Sequence, residues 1–353
     1  MPSDSQKGPK YHAIAREIRD DIEQGRLKPG DRVLSYAELR DRFGVMPATA
    51  HRIFEELEKD RLIVRGRGRG GTVVATPPTV RKTSTIALNF HLDNAEGSDY
   101  GARLMQGAQN AALRYGLDKL WFAPGEPIAW EKVDGVVAHI PGVPAWPPLL
   151  PVINVMTSLP DIPCVVADDC AGARLAVQHL LELGHRRIGC LFWLERYSTM
   201  LRHAGYLQAL SAAGIVPRLE WTRAMSYQDG ATTQYEQALF NMRRWLADGF
   251  SATGCTALLA NNDLCAFGAM RALQDAGLRI PEDISVVGFD GTSMAACWQP
   301  SLTTVAVPLK QIAETAVDQL VRCINGERVP NATTVFPTEL RLGESTASAK
   351  KHM

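Results

Sequence analysis

No apolar run in the 353 residues approaches the roughly 18 that a membrane-spanning helix needs. The opening MPSDSQKGPKYHAIAREIRDD also lacks the apolar centre of an export signal, so the chain is expected to stay in the cytoplasm. Cysteine is sparse and odd in number: Cys164, Cys170, Cys190, Cys255, Cys265, Cys297 and Cys323 never fall at Cys-x-x-Cys spacing. That pattern argues against a disulfide framework or a thiolate metal site and reads as buried free thiols. Equally missing are a Gly-x-Ser-x-Gly elbow, a His-Glu-x-x-His pair, a Walker loop and a zinc-spaced Cys/His array. No catalytic residue, resident cofactor or metal site is expected, and the chain is not expected to be an enzyme.

Net charge is also absent, but the zero total conceals a division. Residues 1–82 carry 17 Lys and Arg against 12 Asp and Glu, and the remainder carries 21 against 26. A small basic front end on a larger acidic body points to a polyanionic partner for the front end alone. With 46% hydrophobic residues, the length suits two or three packed domains.

The front end has the pattern helix, helix, helix, hairpin. Tyr11, Ile14, Ala15, Ile18 and Ile22 recur at helical spacing, and GRLKPGD ends that helix. Ser35-Tyr36-Ala37-Glu38 has the form of a capping box opening a second helix, which Phe43-Gly44 ends. Pro47 suits the first position of a third helix, with Ala50, Ile53, Phe54 and Leu57 as its buried stripe and Ala48, Thr49, His51 and Arg52 outside it. LIVRGRGRGGTVVA then reads as two short strands around a glycine-arginine tip, completing a winged helix-turn-helix. The tip contains a literal Gly-x-Gly-x-x-Gly, Gly66 to Gly71, but it leads into Thr72-Val73-Val74 rather than a helix, which excludes a dinucleotide loop.

In this region the chain resembles the GntR family of bacterial transcription regulators, through Ile22, Gly25, Leu27, Pro29-Gly30-Asp31, Ser35, Leu39, Phe43-Gly44-Val45, Thr49, Leu57, Leu62-Ile63, Gly71-Thr72 and Val74. Members that read DNA through arginines place them at positions matching Ala37, Pro47 and His51, and only His51 keeps a hydrogen-bonding side chain. The resemblance implies a DNA surface of Ser35, Pro47, Ala48, Thr49, His51 and Arg52 with Arg65, Arg67, Gly68, Arg69 and Gly70 of the wing. Base reading would rest on His51, Arg52 or Thr49, with the Ala48 and Thr49 methyls available to thymine. Affinity would come mainly from the wing and phosphates.

TPPTVRKTS, residues 76–84, has the composition of a linker following a DNA-binding domain at 1–75. Beyond it, short runs such as TIALNF, DGVVAHI, CVVAD, RIGCLFW, TALLAN and ISVVGF alternate with helical segments near 101–115, 171–184 and 264–277. That alternation predicts an α/β fold with parallel sheets. ADDCAGARLAVQHLLELGHRRIGCL, LRHAGYLQAL and ALLANNDLCAFGAMRALQDAGLRIPEDISVVGFDGTSMAACWQPSLTTVAVP resemble the sensor domain of the LacI family, which shares its fold with periplasmic binding proteins.

The resemblance implies a two-lobed domain over 85–345, joined by three crossing strands and followed by a flexible tail at 346–353. A small molecule would sit in the cleft of a side-by-side homodimer. The fusion of the two modules resembles that of arabinose-repressor-type regulators. Carried over by position, Arg202 and Asp290 become cleft residues bracketing vicinal hydroxyls, with Asn262 beside them, Trp298 against a sugar's apolar face and Trp193 and Tyr197 in the loop after RIGCLF. Asp263 reads instead as a helix N-cap and His185 as a structural helix-end residue. Between Gly116 and Asp134, where the family fits a strand and a whole helix, only LDKLWFAPGEPIAWEKV is present, so the first lobe is expected to be thinner on one face. The expected function is a DNA-binding regulator, a repressor of carbohydrate-use genes, that binds double-stranded operator DNA, a sugar-like effector and a second copy of itself, with no membrane partner. The alternative is a solute-binding protein without a transcriptional role.

Overall fold

The computed structural model describes residues 10–23, 26–28, 30–59, 62–65, 71–74, 83–90, 98–122, 129–139, 150–227, 229–327 and 329–350. The chain divides into two compact units, Met1–Arg81 and Lys82–Met353.

In the first unit, helices α1 (Lys10–Glu23), α2 (Tyr36–Phe43) and α3 (Pro47–Lys59) precede strands β1 (Ile63–Arg65) and β2 (Thr72–Val74), which pair antiparallel. The Ser35 side chain accepts from the Glu38 N–H while Glu38 accepts from the Ser35 N–H, so α2 starts with two of its orphan donors satisfied. Gly44, at φ 63°, ends it in the left-handed region. Ile14, Ala15, Ile18, Leu39, Ala50, Ile53, Phe54, Leu57, Ile63 and Val74 form one buried core, as their spacing requires. A pairing the sequence did not reveal adds to the wing: Val33 N–H donates to the Thr72 carbonyl and Val74 N–H to that of Asp31, each at 2.8 Å.

The second unit runs β3 (Thr85–Asn89), α4 (Tyr100–Arg114), β4 (Asp118–Trp121), β5 (Gly135–Ala138), β6 (Val152–Val155), β7 (Cys164–Ala167), α5 (Asp169–Glu182), β8 (Ile188–Phe192), α6 (Tyr197–Ala212), β9 (Thr222–Ala224), α7 (Gln234–Ala247), α8 (Phe250–Thr253), β10 (Ala257–Ala260), α9 (Asp263–Asp275), β11 (Ser285–Asp290), α10 (Ser293–Cys297), β12 (Thr303–Ala306), α11 (Leu309–Ile324), β13 (Thr333–Phe336) and β14 (Glu339–Arg341). Two sheets result, ordered β13-β7-β6-β5-β3-β4 in the first lobe and β14-β12-β11-β10-β8-β9 in the second. All pairings are parallel except β12 with β14. The chain crosses between lobes three times: from β7 to α5, from β12 to α11 and from β13 to β14. At the crossing, Asp168 N–H donates to the Phe336 carbonyl at 2.8 Å.

Of the shortened segment, residues 123–128 lie outside the described residues. After β4 only a single 3-10 turn, Trp130–Lys132, is formed among the described residues, and the sheet face around Val133, Val136 and Ala138 is covered by Phe122, Trp130, Leu150 and Leu159. Phe122 and Trp130 meet edge to face at 5.8 Å.

Two expectations are corrected. Residues 346–350 are packed rather than a loose tail: Thr346 bonds His179 and Thr303, Ala347 bonds Ser285, and Lys350 pairs with Asp283 at 2.6 Å. The sequence of this stretch is polar, and its hydroxyls and backbone satisfy polar groups at the lobe edge, which an apolar count does not register. Of the cysteines, Cys164, Cys190 and Cys265 are buried, but Cys170, Cys255 and Cys323 are half-buried and Cys297 is exposed. No helix of the described residues is long and apolar enough to cross a membrane.

Candidate functional site

On the first unit, α3 turns its apolar stripe to the core and leaves Pro47, Ala48, His51 and Arg52 exposed, with Thr49 half-buried beside them. Ser35 is occupied as the α2 cap. His51 is not a free imidazole: Tyr36 Oη lies 3.2 Å from its Nδ1, and Glu55 Oε1 lies 3.2 Å from its Nε2. Arg65 leaves the wing base towards the helix, 3.1 Å from Glu58 and 5.9 Å from the Phe54 ring centre. Arg67, Gly68, Arg69 and Gly70 lie outside the described residues.

In the second unit the lobe junction is built around one buried arginine. Arg202 on α6 donates from Nε to Asp169 Oδ1 at 2.7 Å and from Nη1 to the Asn261 carbonyl at 2.5 Å, while Nη2 lies 3.5 Å from Asp290 Oδ1. Its guanidinium carbon stands 3.7 Å from the Phe289 ring centre, and Arg202, Asp169 and Asp290 are all buried. Burial alone disfavours the Arg202 charge, but the carboxylates of Asp169 and Asp290 outweigh it and hold the group charged. Close packing of α5 on α6 makes this geometry possible: a Cβ at Gly205 would stand 2.2 Å from the Cys170 carbonyl oxygen.

Asp290 ends β11 at φ 106°, a conformation L-residues with a Cβ adopt at a cost. Gly291 follows at φ 66°, where a Cβ would fall 2.7 Å from Ala306. Burial pushes the Asp290 carboxyl well above the usual carboxylate range; Arg202 opposes this and Asp263 adds to it. Asp263 is not the N-cap of α9. That role belongs to Asn262, whose Oδ1 accepts from the Cys265 N–H at 3.0 Å. Asp263, one residue on, is buried and accepts from the Thr292 N–H at 2.7 Å and from the Thr292 and Thr304 hydroxyls, tying the β11–α10 loop to α9. Its pKa is raised to about 6 by burial, against the hydrogen bonds from Thr304 and Thr292.

First-lobe residues reach into this junction that no motif had marked. Arg103 on α4 donates from Nη1 to the Gly291 carbonyl at 2.9 Å and the Asp290 carbonyl at 3.4 Å, and from Nη2 to the Val307 carbonyl at 3.2 Å. One turn earlier, the Asp99 carboxylate accepts from the Ser293 N–H and hydroxyl. Beside these contacts a groove of about 1150 Å³ runs between α4 and the second lobe, lined by Gln106, Gln109, Thr304 and Arg341 among others.

Arg202 and Asp290 are therefore brought together, as the motifs imply, while the other cleft candidates are dispersed. Asn262 is spent on the α9 cap and on Gln234. Trp298 stacks on Phe267 at 4.4 Å. Trp193 is buried, stacked on Tyr227 at 6.0 Å, with its indole N–H unpartnered, and Tyr197 opens α6, half-buried. His185 is structural: its ring nitrogens meet Thr256, Ser285 and the Ala347 carbonyl. Asp169 could have been found in the sequence, since ADD follows a buried strand directly; Arg103 carries no local signal.

Comparison with known proteins matches residues 10–74 to the bacterial regulatory proteins of the gntR family and residues 177–346 to the periplasmic binding protein-like domain. The transcriptional repressor PurR of Erwinia tasmaniensis is 30% identical over 295 residues, 76% of this chain and 81% of the relative. The chain belongs to the LacI-type transcriptional regulators. Its first module is of the GntR type, and the same end-to-end arrangement aligns with the arabinose metabolism transcriptional repressor of Geobacillus stearothermophilus, at 25% identity over 96% of this chain and 98% of the relative. The solved structure of the regulator CelR in complex with cellobiose superposes with a TM-score of 0.64, at 25% identity over 85% of this chain and 91% of that one. Against Streptomyces regulators, including MalR of Streptomyces coelicolor, the chain spans about half the length of the curated relatives it matches. These relatives are transcriptional regulators rather than solute-binding proteins.

Proposed function

We propose that this protein is a dimeric repressor, not an enzyme, that binds pseudo-palindromic operator DNA through α3 and the wing and is released from it by a neutral polyhydroxylated molecule held between the lobes. The observation that carries the reading is the buried Arg202–Asp290 pair at the junction of two lobes, in a chain that also carries a winged helix. A guanidinium fork and a carboxylate offer donors and acceptors to vicinal hydroxyls in a dry site. A relative is described in complex with cellobiose and another as an arabinose metabolism repressor, which supports a carbohydrate effector here.

The DNA contacts are assigned to Ser35, Pro47, Ala48, Thr49, His51, Arg52 and Arg65, with Arg67, Gly68, Arg69 and Gly70 of the wing tip. The effector contacts are Arg202 and Asp290, with Asn262, Trp298, Trp193 and Tyr197 around them only if the lobes rearrange. Each chain offers one recognition helix, so a dimer on half-sites about 10 base pairs apart, or a multiple, is the geometry that fits. By linkage, an effector that weakens DNA binding binds more weakly to the DNA-bound protein. Thermal shift against a panel of sugars and sugar acids tests the effector class: stabilisation of about 2.7 kcal/mol at a hundredfold excess over Kd is expected. A shift by phosphorylated compounds alone would overturn the polyol assignment.

A further inference from the structure

We infer that Tyr36 and Arg65 are positioning residues that fix the His51 ring as a single outward N–H donor, so that the recognition helix selects a hydrogen-bond acceptor on one base edge. The inference rests on the DNA-binding reading above and adds to it what that helix reads.

Tyr36 opens α2 directly after the capping serine, and its ring stands edge-on to buried Phe54 of α3, 4.8 Å between centres at 81°. That contact places the phenol oxygen 3.2 Å from His51 Nδ1. From the wing base, Arg65 brings Nη1 to 3.5 Å from the same nitrogen, its guanidinium steadied by Glu58 and the Phe54 face. A guanidinium has donors only, so a ring nitrogen facing it is the acceptor, and the Tyr36 hydroxyl then donates to that nitrogen as well. Hydrogen-bond logic thus assigns the proton of the neutral imidazole to Nε2. Glu55 Oε1, one turn along α3, stands 3.2 Å from that nitrogen.

An outward N–H donor matches guanine N7 or O6, adenine N7 or thymine O4, and opposes the amino group of cytosine. Pro47 and Ala48, exposed on the same face, have no hydrogen-bonding side chain, so the contact at His51 carries an unusual share of the selection. The resulting reader is one donor set by two residues from outside the helix.

The test uses the full chain and a random duplex pool, sequencing the DNA retained by wild type, Tyr36→Phe, His51→Gln, His51→Asn and the double variant Tyr36→Phe with His51→Gln. Glutamine places an amide N–H near the Nε2 position, whereas asparagine reaches only the Nδ1 position. Wild type and His51→Gln should share a preference for an acceptor base at one position of each half-site. Tyr36→Phe and His51→Asn should each lose roughly fivefold discrimination there, with the salt dependence of binding unchanged. In the His51→Gln background Tyr36→Phe should have no further effect, because an amide has no tautomer to fix. Equal losses in both backgrounds, or an unchanged preference in Tyr36→Phe, would remove Tyr36 from the positioning role, and an unchanged preference in Tyr36→Phe with Arg65→Met as well would overturn that role altogether while leaving DNA binding intact. A wild-type chain that enriches no sequence overturns the DNA-binding reading itself, and this inference with it.

Discussion

Asp169 accepts a hydrogen bond from Arg202 at 2.7 Å with both side chains buried, which makes the central cation of the cleft a structural element before it is a ligand contact. Removing one partner of a buried pair strands the other charge, so Arg202→Ala and Asp169→Ala should each cost about 3–5 kcal/mol of stability. Urea denaturation measures this directly. A cost under about 1 kcal/mol would mean that the pair is solvated.

Asp290 is the cleaner probe of the effector response, since its distance to Arg202 is 3.5 Å and Asp169 already satisfies the cation. Asp290→Asn should retain operator binding and the fold while abolishing effector release. Titration of effector against a preformed protein–DNA complex, followed by fluorescence anisotropy, checks it; an unaltered release curve would remove Asp290 from the site.

Arg103 joins the lobes through three carbonyl oxygens. Its replacement by alanine should lower the free energy of local opening by about 1–3 kcal/mol. Hydrogen exchange at the amides of Gly291, Thr292 and Val307 should then accelerate by between about fivefold and about 150-fold. Unchanged exchange would show that other contacts between the lobes, such as that of Asp99 with Ser293, rather than Arg103, hold them together.

Asp263 supplies a pH signature. Its folded pKa of about 6 lies above the ordinary aspartate value of 3.8, so between those values the native state binds more protons than the unfolded chain. Stability from this group is therefore greatest at low pH and is lost as pH rises through about 6. Relative to Asp263→Asn, wild type should gain stability as pH falls from 7 to 5, by at most about 1.4 kcal/mol per pH unit. Parallel stability curves for the two proteins would contradict the assignment.

The wing arginines should act through phosphate. Replacing Arg67 and Arg69 together by alanine should weaken binding to all sequences and reduce the salt slope by roughly one to two units. A changed sequence preference at constant slope would place them at bases instead.

Much of this organisation is legible in the sequence, and for definite reasons. Capping at Ser35 and Glu38, the helical stripe of Ala50, Ile53, Phe54 and Leu57 and the β-branched runs of the sheets are local patterns, and they form the elements their spacing requires. The exposed strip of α3 follows from the same periodicity. Contacts between distant segments did not show: Arg103 reaches carbonyls nearly two hundred positions away, and Val33 joins the wing through backbone alone. Asn262 and Asp263 exchanged roles because both residue types cap helices, and only the fold decides which stands at the boundary. Nothing local in the sequence separates an aromatic face kept for a ligand from one packed on a neighbour, and Tyr227 and Phe267 stack on Trp193 and Trp298.

The most direct test of the account is one titration. Full-length protein bound to its enriched operator is mixed with increasing concentrations of sugars and sugar acids, and DNA affinity is followed for wild type and Asp290→Asn in parallel. If the effector acts through Asp290, a neutral polyhydroxylated compound should weaken wild-type operator binding at least about fivefold, within the usual range of allosteric coupling, and leave the Asp290→Asn complex unaffected. An effector that binds wild type with no change in DNA affinity, or that releases both proteins equally, would contradict it.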